Sequence, residues 1–242
     1  MRTLAVILAR AGSVGLTGKH LRLLQGRPVI EYTFDHAFDA ALINMTVVST
    51  DCPGVARLAR RYQFPVIDRP AELATSDASV QDVLIHAVRT FESSTGLSPD
   101  AIVCLYGNVP VRPRGLIDSA ITHLRTTRCD SVRSFCPVGK WHPAWMSSLS
   151  DDKVIPLQAG SIHRRQDLAP LFLHDGGVVA CTRASLWRGV ENPSDPHAFF
   201  GTDRRAVRTD QGDVIEIDHP RDMYWAEAVL RDRAASAVRI AG

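Results

Sequence analysis

A six-residue apolar run, Leu4 to Ala9, stops at Arg10 and opens into a loop with glycines at 12, 15 and 18 and a lysine at 19. The run is short for a helix and suits a strand buried on both faces. Glycine lets successive backbone N–H groups turn toward one anion, and the flanking cations neutralise it. A buried first strand that feeds a phosphate-holding loop points to an open α/β sheet, where ligands sit beyond the carboxyl ends of the strands. The plainer alternative is a surface turn with Arg10 and Lys19 in water. Two familiar loops are excluded by spacing. A dinucleotide fingerprint needs G-x-G-x-x-G, whereas this loop reads G-x-x-G-x-x-G; a P-loop needs Gly and Ser/Thr where Ser13 and His20 stand.

The chain beyond the loop alternates strand and helix patterns. Pro28–Leu42 carries Ile30, Phe34, Ala37, Phe38 and Ala41 at helical spacing. Met45–Ser49 is a β-branched run closed by Asp51, and Pro53–Tyr62 returns to helix. Pro65–Asp68 is a short strand. Ser79 is placed to cap a helix over Val80–Phe91, with Asp82 as its acidic partner. Asp100–Tyr106 is strand-like and Gly115–Thr126 helical; Gly176–Cys181 and Val214–Asp218 read as later strands, and Arg221–Ala237 as a final amphipathic helix. This rhythm predicts a three-layer, Rossmann-like α/β fold with a mostly parallel, mixed sheet. It breaks between Val138 and Leu173, where prolines and tryptophans replace the alternation. The expected organisation is therefore an α/β domain over residues 1–137 and 174–242, with an excursion over 138–173 serving as a lid or an oligomer arm.

Composition narrows the partners. A formal charge of +2 over 242 residues gives no ground for nucleic acid or an anionic membrane. No apolar run approaches membrane-spanning length, and Leu4–Ala9 is too short for a signal peptide. The five cysteines form no C-x-x-C pair and no framework of a secreted protein, which favours the cytoplasm. Glu216 and Asp218 flank Ile217; in a strand, period two sets both carboxylates on one face, roughly 7 Å apart at Cα. Such a pair can share a hard cation such as Mg²⁺, although a solvated strand face ahead of a helix would look the same.

Several stretches, taken together and in order, resemble the CMP-sugar synthetases, the acylneuraminate cytidylyltransferases. VILARAGSVGLTGKHL resembles the family's loop A-R-x-x-S-x-G-x-x-x-K-N-L through Arg10, Ser13, Gly15, Lys19 and Leu21. VVSTD, RPAELATSDAS (Arg69 to Ser79), PVRP, DSV, HP, RRQDL, DGGVVA and IEID, followed by Asp222 and Ala226-Glu227, continue the pattern along nearly the whole chain. The resemblance implies transfer of CMP from CTP to the anomeric hydroxyl of a 2-keto sugar acid, with pyrophosphate released and Mg²⁺ as cofactor. It places Ala9, Arg10, Gly12, Ser13, Lys19, Arg69 and Ser79 on the nucleotide. Arg10, Lys19 and Asp218 would be catalytic, and Glu216 and Asp218 would hold the metal. Tyr106, Asn108, Arg165, Gln166, Asp175, Phe199 and Phe200 would line the sugar side. The excursion would be a dimerisation arm, so a homodimer is expected.

Departures from the family pattern concentrate on the sugar side. Tyr106 stands where the family has Gln, Asp175 where it has Asn, and Glu216 where it has Asp; Val14 and His20 replace a Lys and an Asn of the loop. The acceptor is therefore a sialic-acid-like nonulosonate of unspecified identity, with 3-deoxy-octulosonate and use of GTP as alternatives. A nucleotide-binding regulator with decayed chemistry is the competing class. A glycosyltransferase would want a D-x-D motif near the middle of the sequence, which Asp151-Asp152 and Asp203 do not supply.

Overall fold

The computed structural model describes residues 1–12, 15–160 and 162–241. Its strands are β1 (Thr3–Leu8), β2 (Leu23–Leu24), β3 (Arg27–Pro28), β4 (Met45–Thr50), β5 (Val66–Asp68), β6 (Ala101–Tyr106), β7 (Ser131–Pro137), β8 (Ser147–Ser150), β9 (Lys153–Pro156), β10 (Phe172–Thr182) and β11 (Arg204–Arg208). The helices are α1 (Val29–Asp39), α2 (Pro53–Arg61), α3 (Val80–Thr95), α4 (Leu116–Thr127), α5 (Arg183–Glu191) and α6 (Pro220–Ala241). Seven strands form one sheet in the order β11-β7-β10-β6-β1-β4-β5. β6, β1, β4 and β5 are parallel; β10 runs against both β6 and β7, and β11 is parallel to β7. The mixed, mostly parallel sheet with flanking helices is the architecture that the strand–helix rhythm implies.

All six residues of β1 are buried, which explains the unbroken apolar run. Period two divides it between the faces. Ala5 and Ile7 pack with α1, α2 and α4, whereas Leu4, Val6 and Leu8 pack with α3 and α5. Each fully buried Leu or Ile contributes ~1.5–3 kcal/mol relative to exposure. Ser79 caps α3: its Oγ accepts from Asp82 N at 3.0 Å and donates to Asp82 Oδ2 at 2.7 Å, as the Ser–Asp spacing suggests. Phe38 departs from expectation. It is 75% exposed, because in the last turn of α1 the buried position belongs to its neighbour Ala37.

In the main sheet and its helices, β7, β11 and α5 go beyond the sequence reading, as do the small strands β2, β3, β8 and β9. One expected strand is absent. Val214–Asp218 forms only an isolated bridge, Val111 with Ile215, supplemented by Ile217 N–H donating to Asn108 O at 2.7 Å. It is a single extended segment pinned to the loop after β6. Within residues 138–173, β8 and β9 form their own two-stranded sheet, exposed at every position. No helix among the described residues is long and apolar enough to cross a membrane.

Candidate active site

The parallel strands β1, β4 and β6 end on one edge of the sheet; the basic loop follows β1, Asp51 follows β4, and Tyr106 closes β6. Local bonds shape the loop. Thr50 Oγ1 donates to Ala9 O at 2.5 Å, and Asp51 Oδ1 accepts Ala11 N–H at 2.7 Å. Gly18 adopts φ +65°, a left-handed turn that favours glycine and starts the short helical turn carrying Lys19. Gly15 lies so close to Asp218 that a Cβ there would sit 2.5 Å from the Asp218 carbonyl. The loop thus packs directly on the acidic segment. Ser13 lies outside the described residues.

A cleft of about 210 Å³ opens beside this loop, lined in part by Arg10, Lys19, His20, Arg69, Asn108 and Glu216. Arg10 makes no ion pair among the described residues. Arg69 is 8% exposed and donates to Ser49 O at 2.8 Å and Ser49 Oγ at 3.2 Å; burial pushes its guanidinium down to about 10, still charged at neutral pH. Lys19 Nζ sits 2.7 Å from Asp218 Oδ1. His20 is buried and held near 3 by desolvation and by the Lys19 charge, so it is neutral.

Asn108 organises the acidic side. Its Nδ2 donates to Glu216 Oε1 at 3.0 Å, Ile217 O at 3.1 Å and Asp218 Oδ1 at 3.3 Å. One amide therefore draws both carboxylates together without a regular strand. Burial raises the Glu216 pKa, and the charge of Asp218 raises it further. Gly176 leaves room for this carboxylate: a Cβ there would lie 3.2 Å from Glu216 Oε2. Among the described residues no group of three or more His, Cys, Asp or Glu is arranged as a metal cage. Two convergent carboxylates nonetheless fit Mg²⁺, which usually takes one or two carboxylates and draws its other ligands from water and phosphate. The penalty on the Glu216 charge is one that a cation would relieve.

A neighbouring cleft of about 290 Å³ shares Tyr106 and Val80 with the first and is walled by Phe199 and Phe200. The two rings are 2% and 6% exposed with centroids 4.1 Å apart, so they are core and wall at once. Ser79 borders this second cleft, with its hydroxyl committed to the α3 cap. Asp175 has a different place from the one its family position implies. Ser134 Oγ, Thr209 Oγ1 and Gly177 N–H all donate to its carboxylate, which staples the irregularity in β10 between His174 and Val179. Arg165 and Gln166 sit in an exposed turn of the 138–173 excursion and border neither cleft.

Arg112 escaped the sequence reading. Its fully buried guanidinium donates to the carbonyls of Val109 at 2.6 Å, Gly177 at 2.7 Å and Tyr106 at 2.9 Å. Among the described residues it has no carboxylate in ion-pair contact, and burial pushes it down to about 9. It fixes the loop that presents Tyr106 and Asn108, and the Pro-x-Arg-Pro run was the available signal.

The sheet, the basic loop at its carboxyl edge and the facing acidic pair define a nucleotide-handling α/β protein. A solved CMP:2-keto-3-deoxy-manno-octonic acid synthetase complexed with CTP shares this fold, with a TM-score of 0.73 at 19% identity over 96% of this chain and all of that one. The family model described as Cytidylyltransferase matches residues 4–150. The chain belongs to the CMP-sugar cytidylyltransferase family. It is 29% identical over 192 residues to an N-acylneuraminate cytidylyltransferase of Streptococcus agalactiae serotype V, covering 78% of this chain but only 45% of that protein's length. It is also 29% identical over 235 residues to a CMP-N,N'-diacetyllegionaminic acid synthase of Legionella pneumophila, covering 95% of this chain and 97% of that one.

Proposed function

We propose that this chain transfers CMP from CTP to the anomeric hydroxyl of a 2-keto sugar acid of the nonulosonate type, releasing pyrophosphate. One observation carries the reading. A cleft at the sheet's carboxyl edge has Arg10, Lys19 and Arg69 on its walls and a Glu216–Asp218 pair clamped by Asn108 beside them. Cations there suit a triphosphate, and the acidic pair suits the divalent ion that accompanies it.

Arg10 and Lys19 hold the β- and γ-phosphates and stabilise the charge that builds on departing pyrophosphate. Lys19 exchanges its ion pair with Asp218 for phosphate oxygens when CTP arrives. Arg69 anchors the nucleotide end of the cleft. Glu216 and Asp218 would hold Mg²⁺, which would supply Lewis-acid polarisation of phosphate and make the attacking hydroxyl more acidic. Asn108 orients both carboxylates, and Tyr106 divides the nucleotide cleft from the sugar cleft. Phe199 and Phe200 give the sugar an apolar wall.

The Legionella and Streptococcus relatives support sialic-acid-like acceptors, and Tyr106 in place of a family Gln supports one other than N-acetylneuraminate. Residues 138–173 serve as a dimerisation arm. Trp141, Met146, Leu149, Val154 and Ile155 are exposed along it, an apolar surface that a second copy would cover. Use of CTP and five free thiols fit a cytoplasmic enzyme. Incubation with CTP, Mg²⁺ and a panel of 2-keto sugar acids, with GTP in parallel and products read by mass spectrometry, tests the reading. One CMP-sugar mass is expected; a nucleotide bound but never consumed would indicate a regulator instead.

A further inference from the structure

The cleft beside Tyr106 contains a cation that the family pattern does not assign. Arg133 lies on β7, between β10 and β11 in the sheet, and lines this cleft. Its guanidinium carbon is 4.2 Å from the Phe200 ring centroid and 5.0 Å from that of Phe135. It makes no ion pair and no side-chain hydrogen bond among the described residues. No carboxylate among the described residues lines this cleft, and the acids of the adjoining segments are already committed. Asp130 accepts from Thr202 and Asp203 and lies 3.5 Å from Arg188; Asp203 is paired with Arg205; Asp175 is held by two hydroxyls. Arg204 adds a second positive charge nearby, with its own guanidinium 5.7 Å from the Phe200 centroid. Burial and this neighbour both lower the Arg133 pKa.

Beside it, His174 of β10 borders the same cleft, and its buried Nε2 has no hydrogen-bond partner among the described residues. A half-buried arginine without a counter-ion, next to an unpaired imidazole nitrogen, is incomplete until an anion arrives. The triphosphate has its own cations across Tyr106, in the other cleft. The remaining anion in the reaction is the carboxylate of the sugar acid. Arg165, the family-implied partner for that carboxylate, stands on the exposed arm, outside this chain's own clefts and where a dimer would carry it toward a second copy, so Arg133 is the cation that this chain itself supplies to the cleft.

We infer that Arg133 binds the sugar-acid carboxylate from within the same chain, with His174 Nε2 as second donor. The inference rests on the proposed acceptor class and adds the residue that reads its charge. A planar guanidinium can grip a carboxylate through two parallel N–H donors, and stacking on Phe200 sets its plane.

The test compares wild type, Arg133→Met and Arg133→Lys, each with the accepted sugar acid and with its carboxamide. Arg133→Met is expected to raise KM for the acid by roughly 10- to 100-fold, the loss of a charge-assisted contact, with KM for CTP unchanged. Arg133→Lys should recover part of that loss. Wild type should prefer acid over carboxamide by a similar factor, and Arg133→Met should lose the preference. Equal losses against acid and carboxamide, or an unchanged KM for the acid, would overturn the inference and leave Arg133 as a packing residue. Wild type that turns over no acid in the panel would overturn the functional reading, and this inference with it.

Discussion

His20 and His36 are both buried neutral, and each is held near pKa 3 against an ordinary 6.5. Desolvation is the main cause for both; Lys19 adds to it at His20, and Arg112 and Arg233 at His36. Above pH 6.5 neither the folded nor the unfolded state protonates these rings, and they cost nothing. As pH falls through the window from 6.5 toward 3, the unfolded state takes up protons that the folded state refuses, so stability falls with pH. The slope is ~1.4 kcal/mol per pH unit for each histidine. Two units below 6.5, at about pH 4.5, His20 alone removes ~2.7 kcal/mol. His20→Asn, the residue that the family loop carries, deletes this titration but keeps a polar side chain of similar reach. Urea unfolding of wild type and variant between pH 7.5 and 4.5 isolates the effect, because titrating carboxylates cancel in the difference. The variant should gain ~2–3 kcal/mol on wild type across that interval, equivalent to roughly 4–12 °C in Tm for a domain of this size. A difference that stays flat with pH would refute the claim that His20 is buried neutral beside the basic loop.

Glu216→Gln should stabilise the metal-free protein at neutral pH. Burial and Asp218 raise the Glu216 pKa, so the folded state takes up a proton more readily than the unfolded state and loses stability as pH rises through that window. Thermal melts with chelator should show the gain, and Mg²⁺ should shift the melting of wild type more than that of the variant. Asp175→Ala strands the donors Ser134 Oγ, Thr209 Oγ1 and Gly177 N–H, and should cost ~2–4 kcal/mol in chemical denaturation, with activity per folded molecule changed less than stability.

The first half of the fold was legible because its strands are buried on both faces and its helices carry clean apolar stripes. Tyr106 closes one such strand, and Leu116 to Leu124 marks one such helix. β7 and β11 were illegible for a physical reason. They lie at the margin of the sheet, where Arg133, Arg204, Arg205 and Arg208 are tolerated and no apolar period survives. The acidic pair was read correctly as converging, but by the wrong cause. Regular strand pairing does not align Glu216 and Asp218; the Asn108 amide does, and a long-range contact of 108 residues leaves no local trace. Asp175 carries the same lesson in reverse. Its family position implies a sugar contact, while its actual partners Ser134 and Thr209 are 41 and 34 residues away in sequence. Arg133 was hidden because a lone arginine in a polar strand looks solvated until the rings of Phe135 and Phe200 are seen on either side.

The most direct test of the account is pyrophosphate release by wild type and Asp218→Ala, with CTP, Mg²⁺ and each 2-keto sugar acid of the panel. Asp218 has a half-exposed side chain, so its removal should leave the fold intact by circular dichroism. The account predicts release by wild type that requires one acid and the metal, and near-complete loss in the variant. Turnover by Asp218→Ala at the wild-type rate would contradict the assignment of chemistry to the pair that Asn108 holds opposite Lys19.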